Sequence, residues 1–140
     1  MKIEECINYL LTQAQIKVNQ IFKENLSIYD ITPAQYILLY HLWQEDGLSP
    51  SQLSTLSGLD ASTITGLLTR MEKKDFIKRR HSEEDRRGVN VFLTLKGVEL
   101  ETSICQIIEK SNNEILSNLK TEEVLAFKAS LKNIGGLDIV

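Results

Sequence analysis

The side chains best suited to chemistry are small hydroxyl groups and one arginine on a helix predicted to begin after Asp60. Apolar residues at steps of three and four predict the buried face of this helix: Ile64, Leu67, Leu68 and Met71. The positions left facing solvent are Ala61, Ser62, Thr63, Thr65, Gly66, Thr69 and Arg70. Small hydroxyl residues let a helix enter the major groove closely and contact base edges or phosphates. We therefore expect this face to contact double-stranded DNA.

Two of these positions have an alternative interpretation. Gly66 in mid-helix costs about 1 kcal/mol relative to alanine, which close approach either to DNA or to a second helix would explain. Arg70 contacts a guanine or a phosphate, or it forms a surface ion pair with a nearby carboxylate. Its place at the edge of the predicted groove face favours DNA.

Positive charge is concentrated in residues 70–87. This segment has eight Lys or Arg against five Asp or Glu, a net charge of +3 in a chain of −3, so the rest of the chain carries −6. Such asymmetry is typical of a DNA-contacting face, although a solvated charged segment is the common alternative. Within it, Arg86 and Arg87 are candidates for minor-groove insertion, and Asp85 is placed to orient one of them.

A second helix is predicted directly before the hydroxyl-rich one. Ser49 at the N-cap and Gln52 at the third helical position form a capping box. Ser49 and Ser51 therefore lie at a helix N-terminus, whose amides suit a phosphate. Leu53 and Leu56 are predicted to face inward. Two helices joined by a tight turn containing glycine have the spacing of a helix-turn-helix.

The apolar periodicity changes from helical to alternating after Asp75. Residues 76–81 and 89–94 are predicted as paired strands, with polar residues 82–88 between them. A charged hairpin that follows a helix-turn-helix is a wing.

Long helices are predicted at both ends of the chain. One apolar stripe runs through residues 3–26, and a second long helix spans 94–119. Thr121 is predicted to cap a last helix that turns Leu125, Leu131 and Ile134 inward. A compact helix-turn-helix cannot cover both terminal stripes, so we expect a homodimer.

Other function classes are not favoured by the sequence. The two histidines and two cysteines lack the spacing of a metal cluster, and no phosphate loop, nucleophile elbow or paired carboxylates stand out. We therefore expect no enzyme, metal or cofactor. No apolar segment spans a membrane, no signal peptide is recognisable, and two thiols suit a reducing compartment, which predicts a cytoplasmic protein. A winged helix that binds only protein is the competing class.

The wing carries a family signature. Asp85 and Arg87, followed by Val91, Leu93 and Thr94, resemble the Asp-x-Arg and Val-x-Leu-Thr motifs of the MarR family, and Gly97 completes a Thr-x-x-Gly. The chain departs from the family at Asp75, where glycine is frequent, but Asp tolerates the left-handed conformation.

The resemblance covers the whole chain and implies a mainly α fold with a small β-hairpin wing. It implies a single winged helix-turn-helix protein over residues 1–140, with a DNA-binding lobe at 32–95. The helix-turn-helix lies at about 49–74 and the wing at about 76–94. Dimerisation helices at 1–31 and 96–140 flank the lobe. The implied activity is that of a transcriptional repressor that binds a pseudo-palindromic operator as a homodimer.

The resemblance also suggests how such a repressor is controlled. A small aromatic or phenolic effector is implied between the lobe and the dimer helices, where Phe22, Tyr36, Tyr40 and Trp43 are candidate lining residues. An aromatic stripe of this kind is more often simply core. Some relatives sense peroxide through a cysteine of the first helix, which makes Cys6 a redox candidate or an ordinary buried thiol. We interpret Cys105 and His41 as core residues.

Overall fold

The computed structural model describes residues 1–81 and 88–137 of the chain. This part is mainly helical, with one antiparallel pair of strands. The helices are α1 (Ile7–Leu26), α2 (Pro33–Gln44), α3 (Pro50–Ser57), α4 (Ala61–Lys73), α5 (Leu95–Glu99), α6 (Glu101–Ile115) and α7 (Thr121–Ile134). The strands are β1 (Ile77–His81) and β2 (Val89–Leu93), and short 3-10 turns lie at Ile3–Glu5 and Ser27–Tyr29.

The two predicted long helices differ from the structure in their extent. The first is shorter than predicted, and the second is both shorter and divided in two. At the N-terminus, Cys6 has extended dihedral angles (φ −75°, ψ 120°) and separates a 3-10 turn from α1. The helix predicted over 94–119 is divided at Leu100 into α5 and α6, and it ends at Ile115. Leu100 keeps right-handed helical angles (φ −75°, ψ −18°), so the division is a local break rather than a loop.

Helix caps fix where α2 and α3 begin. The hydroxyls of Thr32 and Ser49 accept hydrogen bonds from the backbone N–H groups of Gln35 and Gln52, and the second bond confirms the predicted start of α3. The cap predicted at Thr121 is wrong, because Thr121 is already helical and Lys120 is the N-cap. There the Lys120 N–H donates to the Glu123 side chain at 3.0 Å.

The core lies between α2, α3, α4 and the hairpin. Its buried apolar side chains are Leu26, Ile31, Leu38, Leu39, Leu42, Leu48, Leu53, Ile64, Leu67, Leu68, Met71, Phe76, Ile77, Val91 and Ile104. The predicted inward position of Leu56 is wrong, since this side chain is 53% exposed. Leu56 lies in the last turn of α3, which ends at Ser57, and its side chain lines a surface groove with Leu48 and Gln52.

The terminal helices keep apolar side chains on the surface. In α1 only Leu26 is buried, and α7 has no buried residue. The inward prediction for Leu125, Leu131 and Ile134 is wrong for this chain, where they are 68%, 36% and 64% exposed. The buried core of the described residues lies between α2, α3, α4 and the hairpin, and α7 contributes no buried side chain to it.

The hairpin is attached to the core at both ends. Ile77 pairs with Leu93 and His81 with Val89, and Leu48 adds a bridge to Val91. At the turn into β1, Asp75 is left-handed (φ 64°), as the sequence predicted for a residue in place of glycine. At the turn out of β2, a Cβ at Gly97 would overlap the Phe76 carbonyl oxygen, so only glycine fits.

Candidate nucleic-acid interface

The start of α4 is fixed by Asp60. Its carboxylate accepts hydrogen bonds from the Thr63 backbone N–H at 2.7 Å and from the Ser62 hydroxyl at 2.8 Å. The Thr63 N–H, with help from Ser62, holds the pKa of Asp60 below its ordinary value. The first turn of α4 is therefore rigid where its outer residues face solvent.

The outer face of α4 contains the residues predicted for it. Ile64, Leu67, Leu68 and Met71 are buried as expected. The solvent-facing positions are Ala61, Ser62, Thr63, Thr65, Thr69 and Arg70, with Gly66 half-buried among them. The face is a continuous polar surface of small side chains along one helix.

Two of the hydroxyl groups on this face already donate within the helix. Thr65 donates to the Ala61 carbonyl and Thr69 to the Thr65 carbonyl, both at 3.0 Å. Their oxygens can still accept hydrogen bonds, and their methyl groups remain available. Such methyl groups suit contact with the thymine methyl group in the major groove. The residue type alone does not show whether a threonine makes this contact or a hydrogen bond.

Gly66 lies under the guanidinium group of Arg70. The three atoms nearest to a Cβ built at Gly66 all belong to Arg70, the closest being Nη1 at 3.5 Å. Within the described residues, no other helix comes close enough to Gly66 to explain this glycine. Among the described residues, the ion pairs are Lys74–Asp30 and Arg79–Glu72, and Arg70 takes part in neither.

Residues of α3 and α4 meet at a shallow groove of about 280 Å³. Ser51 of α3 lines it together with Ala61 and Thr65 of α4, so predicted residues from both helices share one surface. Ser49 is half-buried, and its hydroxyl serves as the α3 cap. Its direct role is therefore to position the N-terminus of α3.

The wing strands present a basic surface that was not predicted as a site. Lys78 and Arg80 are exposed on one face of β1, and the Arg80 guanidinium carbon lies 5.9 Å from the centre of the Phe92 ring. The alternating positions in 76–81 could have indicated this face. The wing residues predicted to contact DNA, Asp85, Arg86 and Arg87, lie outside the described residues.

The four candidate effector-lining residues do not form one group. Tyr36 lies 6.4 Å from both Tyr40 and Trp43, measured between ring centres, and Trp43 Nε1 donates to the Gly97 carbonyl at 2.9 Å. Burial raises the pKa of Tyr36. Phe22 instead lines a groove of about 260 Å³ between α1, α6 and α7, to which none of the three α2 aromatics contributes.

Histidine and cysteine positions differ partly from the predictions. His41 is half-buried rather than a core residue, it packs edge-on against Tyr40, and burial lowers its pKa. Cys6 is half-buried, whereas Cys105 is exposed, so its interpretation as core packing is wrong. Residues 1–81 and 88–137 bring no three potential metal ligands together. None of the helices described there has the length and apolarity to cross a membrane.

Comparison with known sequences shows which protein family and which relatives the chain is similar to. Residues 31–89 match the profile of the MarR family. The chain is 32% identical over 127 residues to the organic hydroperoxide resistance transcriptional regulator of Bacillus subtilis, covering 86% of each chain. It is 32% identical over 123 residues to the HTH-type transcriptional regulator MgrA of Staphylococcus aureus, covering 87% of this chain and 82% of MgrA.

A solved structure links the fold to DNA. A mutant MarR of E. coli complexed with operator DNA superposes with a TM-score of 0.85 at 27% identity, covering 91% of this chain and 92% of that one. The similarity therefore extends well beyond the helix-turn-helix and includes the terminal helices.

Proposed function

The chain belongs to the MarR family of DNA-binding transcriptional regulators, and we propose that it binds a pseudo-palindromic operator as a homodimer. The outer face of α4 is the observation that carries this proposal. It is polar, composed of small residues, and bordered by Arg70. In this arrangement α4 is the recognition helix in the major groove, and α3 places Ser51 against the phosphate backbone.

The wing adds a second contact in this proposal. Arg86 and Arg87 enter the minor groove beside each half-site, where narrow A·T tracts attract arginine. Their sequence supports this role, because they end a segment whose net charge of +3 stands against −6 in the rest of the chain.

Dimerisation is supported by the unburied apolar surface of the terminal helices. Leu11 and Phe22 of α1 and Phe127 and Leu131 of α7 line one groove that none of residues 1–81 and 88–137 fills. An apolar surface of this kind on two adjacent helices is typical of an interface with a second subunit.

We further propose repression that a small aromatic or phenolic effector relieves. The B. subtilis relative is named for organic hydroperoxide resistance, which keeps Cys6 as a redox candidate beside the effector. Phe22 itself lines the groove proposed for dimerisation, so a ligand bound there would alter subunit packing.

Selection of bound duplexes from a random library tests the proposal. We expect enrichment of an inverted repeat whose half-site centres are about 10 base pairs apart, one helical turn. Repeating the selection with a phenolic library and with peroxide tests the two kinds of signal. An absence of enrichment, or a single asymmetric site bound by one subunit, would overturn the homodimer proposal.

A further inference from the structure

Lys74, directly after α4, is bonded to two distant corners of the chain. Its Nζ donates to the backbone oxygen of Asp30 at 2.6 Å, in the corner between α1 and α2. Its own backbone oxygen accepts a hydrogen bond from Lys96 Nζ at 3.0 Å, in α5. One residue at the end of α4 therefore contacts both chain segments that lead from the core to the terminal helices.

The acceptors around the Lys74 amine contribute unequally to holding it in place. It lies 3.5 Å from the Asp30 carboxylate, but that side chain is 82% exposed, and an ion pair in such a position contributes little. The short bond to the Asp30 carbonyl and a longer one, 3.3 Å, to Gln35 Oε1 are more important. Gln35 is only 1% exposed, and its Oε1 also accepts the Thr32 N–H.

The backbone on each side of these bonds is fixed. Asp30 and Asp75 are the two non-glycine residues with positive φ in the described chain, at 56° and 64°. Their N–H groups donate to Ser27 and Glu72, each at 3.0 Å. The Asp75 carbonyl also accepts the Thr94 hydroxyl, at the start of α5. Both corners are therefore tight turns that hold their position relative to the end of α4.

We propose that Lys74 is a positioning residue that fixes the angle of α4 relative to α1 and to α5 and α6. In a dimer joined through the terminal helices, this angle sets the distance between the two copies of α4. It thereby sets which half-site spacing the protein accepts. The inference rests on the proposed function, because only a dimer has two recognition helices to space.

The test compares two duplexes that differ by one base pair inserted between the half-sites. This insertion moves one half-site by about 3.4 Å and rotates it by about a tenth of a turn. The wild type should bind the longer duplex at least about tenfold more weakly, as for a mismatched site. Lys74→Met keeps a similar side-chain length but removes the donor. Because α4 is freer to adjust in this variant, its loss of affinity for the longer duplex should fall to about threefold or less.

Matched variants separate positioning from charge and from folding. Lys74→Arg retains a donor and should keep most of the wild-type penalty. Lys73→Met removes the same charge from the exposed neighbouring residue and should leave the ratio between the duplexes unchanged. If Lys74→Met does not fold, Lys96→Met removes the bond at the other corner and should reduce the penalty in the same way.

The outcomes distinguish the two proposals. If Lys74→Met weakens binding to both duplexes equally, so that the ratio of the two affinities stays that of the wild type, the positioning role is overturned. If the wild type itself binds both duplexes equally well, it does not bind two half-sites as a dimer. The proposed function is then wrong.

Discussion

Arg79 donates three hydrogen bonds to the carboxylate of Glu72. Its backbone N–H lies 3.0 Å from Oε2, while Nε and Nη2 lie 3.1 and 2.9 Å from Oε1. Glu72 belongs to α4 and Arg79 to β1, so the bonds connect α4 to the wing. Because the guanidinium group is planar and the carboxylate accepts along two directions, the pair fixes an angle as well as a distance.

Replacing Glu72 with glutamine should weaken this connection. We expect Glu72→Gln to lower the free energy of unfolding at pH 7 by about 0.5–1 kcal/mol, since both side chains are about one-third exposed and solvent screens the pair. Denaturant titration measures the difference. An unchanged free energy would mean that the pair contributes nothing to stability.

The same pair predicts a dependence on pH. The backbone N–H and then the guanidinium of Arg79 hold the pKa of Glu72 below its ordinary value of 4.5. A carboxyl group with a lowered pKa stabilises the folded state above the unfolded pKa, and this stabilisation is lost as the pH falls through the folded pKa. The stability difference between wild type and Glu72→Gln should therefore shrink below pH 4.5. A constant difference from pH 7 to pH 3 would contradict this account.

Two glycines predict opposite effects of alanine on stability. Gly97→Ala should lower the free energy of unfolding by about 2–3 kcal/mol, because its methyl group would overlap the Phe76 carbonyl. Gly66→Ala is the matched control. Its methyl group meets only the Arg70 guanidinium at ordinary contact distance, so helix propensity should raise stability by about 0.5–1 kcal/mol. Equal effects at the two positions would mean that the close contact at Gly97 is wrong.

Gly66→Ala should also weaken operator binding although it stabilises the fold. The added methyl group would lie on the outer face of α4 beside the Arg70 guanidinium, where it would hold the helix farther from DNA. We expect operator affinity, measured by fluorescence anisotropy, to fall by about tenfold, comparable to the loss of one base contact. Wild-type affinity in this more stable variant would place Gly66 outside the DNA interface.

A charge on the apolar face of α7 should separate the subunits. Leu131→Asp introduces a carboxylate into the groove shared by α1, α6 and α7, which a dimer would have to desolvate. Light scattering at micromolar concentration should then give the monomer mass. Ala129→Asp adds the same charge on the opposite side of the helix and should remain dimeric. If both variants remain dimeric, the apolar face of α7 is not part of the interface.

Helix α4 could be predicted from sequence because its signals are local. The cap at Asp60, the apolar period and the outer hydroxyl residues lie at or within α4, and the structure agrees with each. The left-handed turn at Asp75 was expected from the family resemblance, because glycine is frequent at this position and Asp tolerates the same conformation.

Contacts between distant residues could not be predicted in this way. The bond from Lys74 to Asp30 joins residues 44 apart in the sequence, and the pairing of Arg79 with Glu72 depends on how the hairpin packs against α4. The predicted inward positions of α7, such as Leu131, were wrong because periodicity predicts an apolar face but not which surface, if any, covers it.

The salt dependence of operator binding tests most directly whether the outer face of α4 contacts DNA. For the wild type, log K should fall linearly with log salt, by about 0.9 for each phosphate neutralised. Arg70→Ala should lower affinity by about tenfold, and its slope should be less steep by about 0.9 if the contact is a phosphate. Lys120→Ala, which removes the same charge at the exposed start of α7, should match the wild type. An Arg70→Ala variant with wild-type affinity and slope would contradict the account.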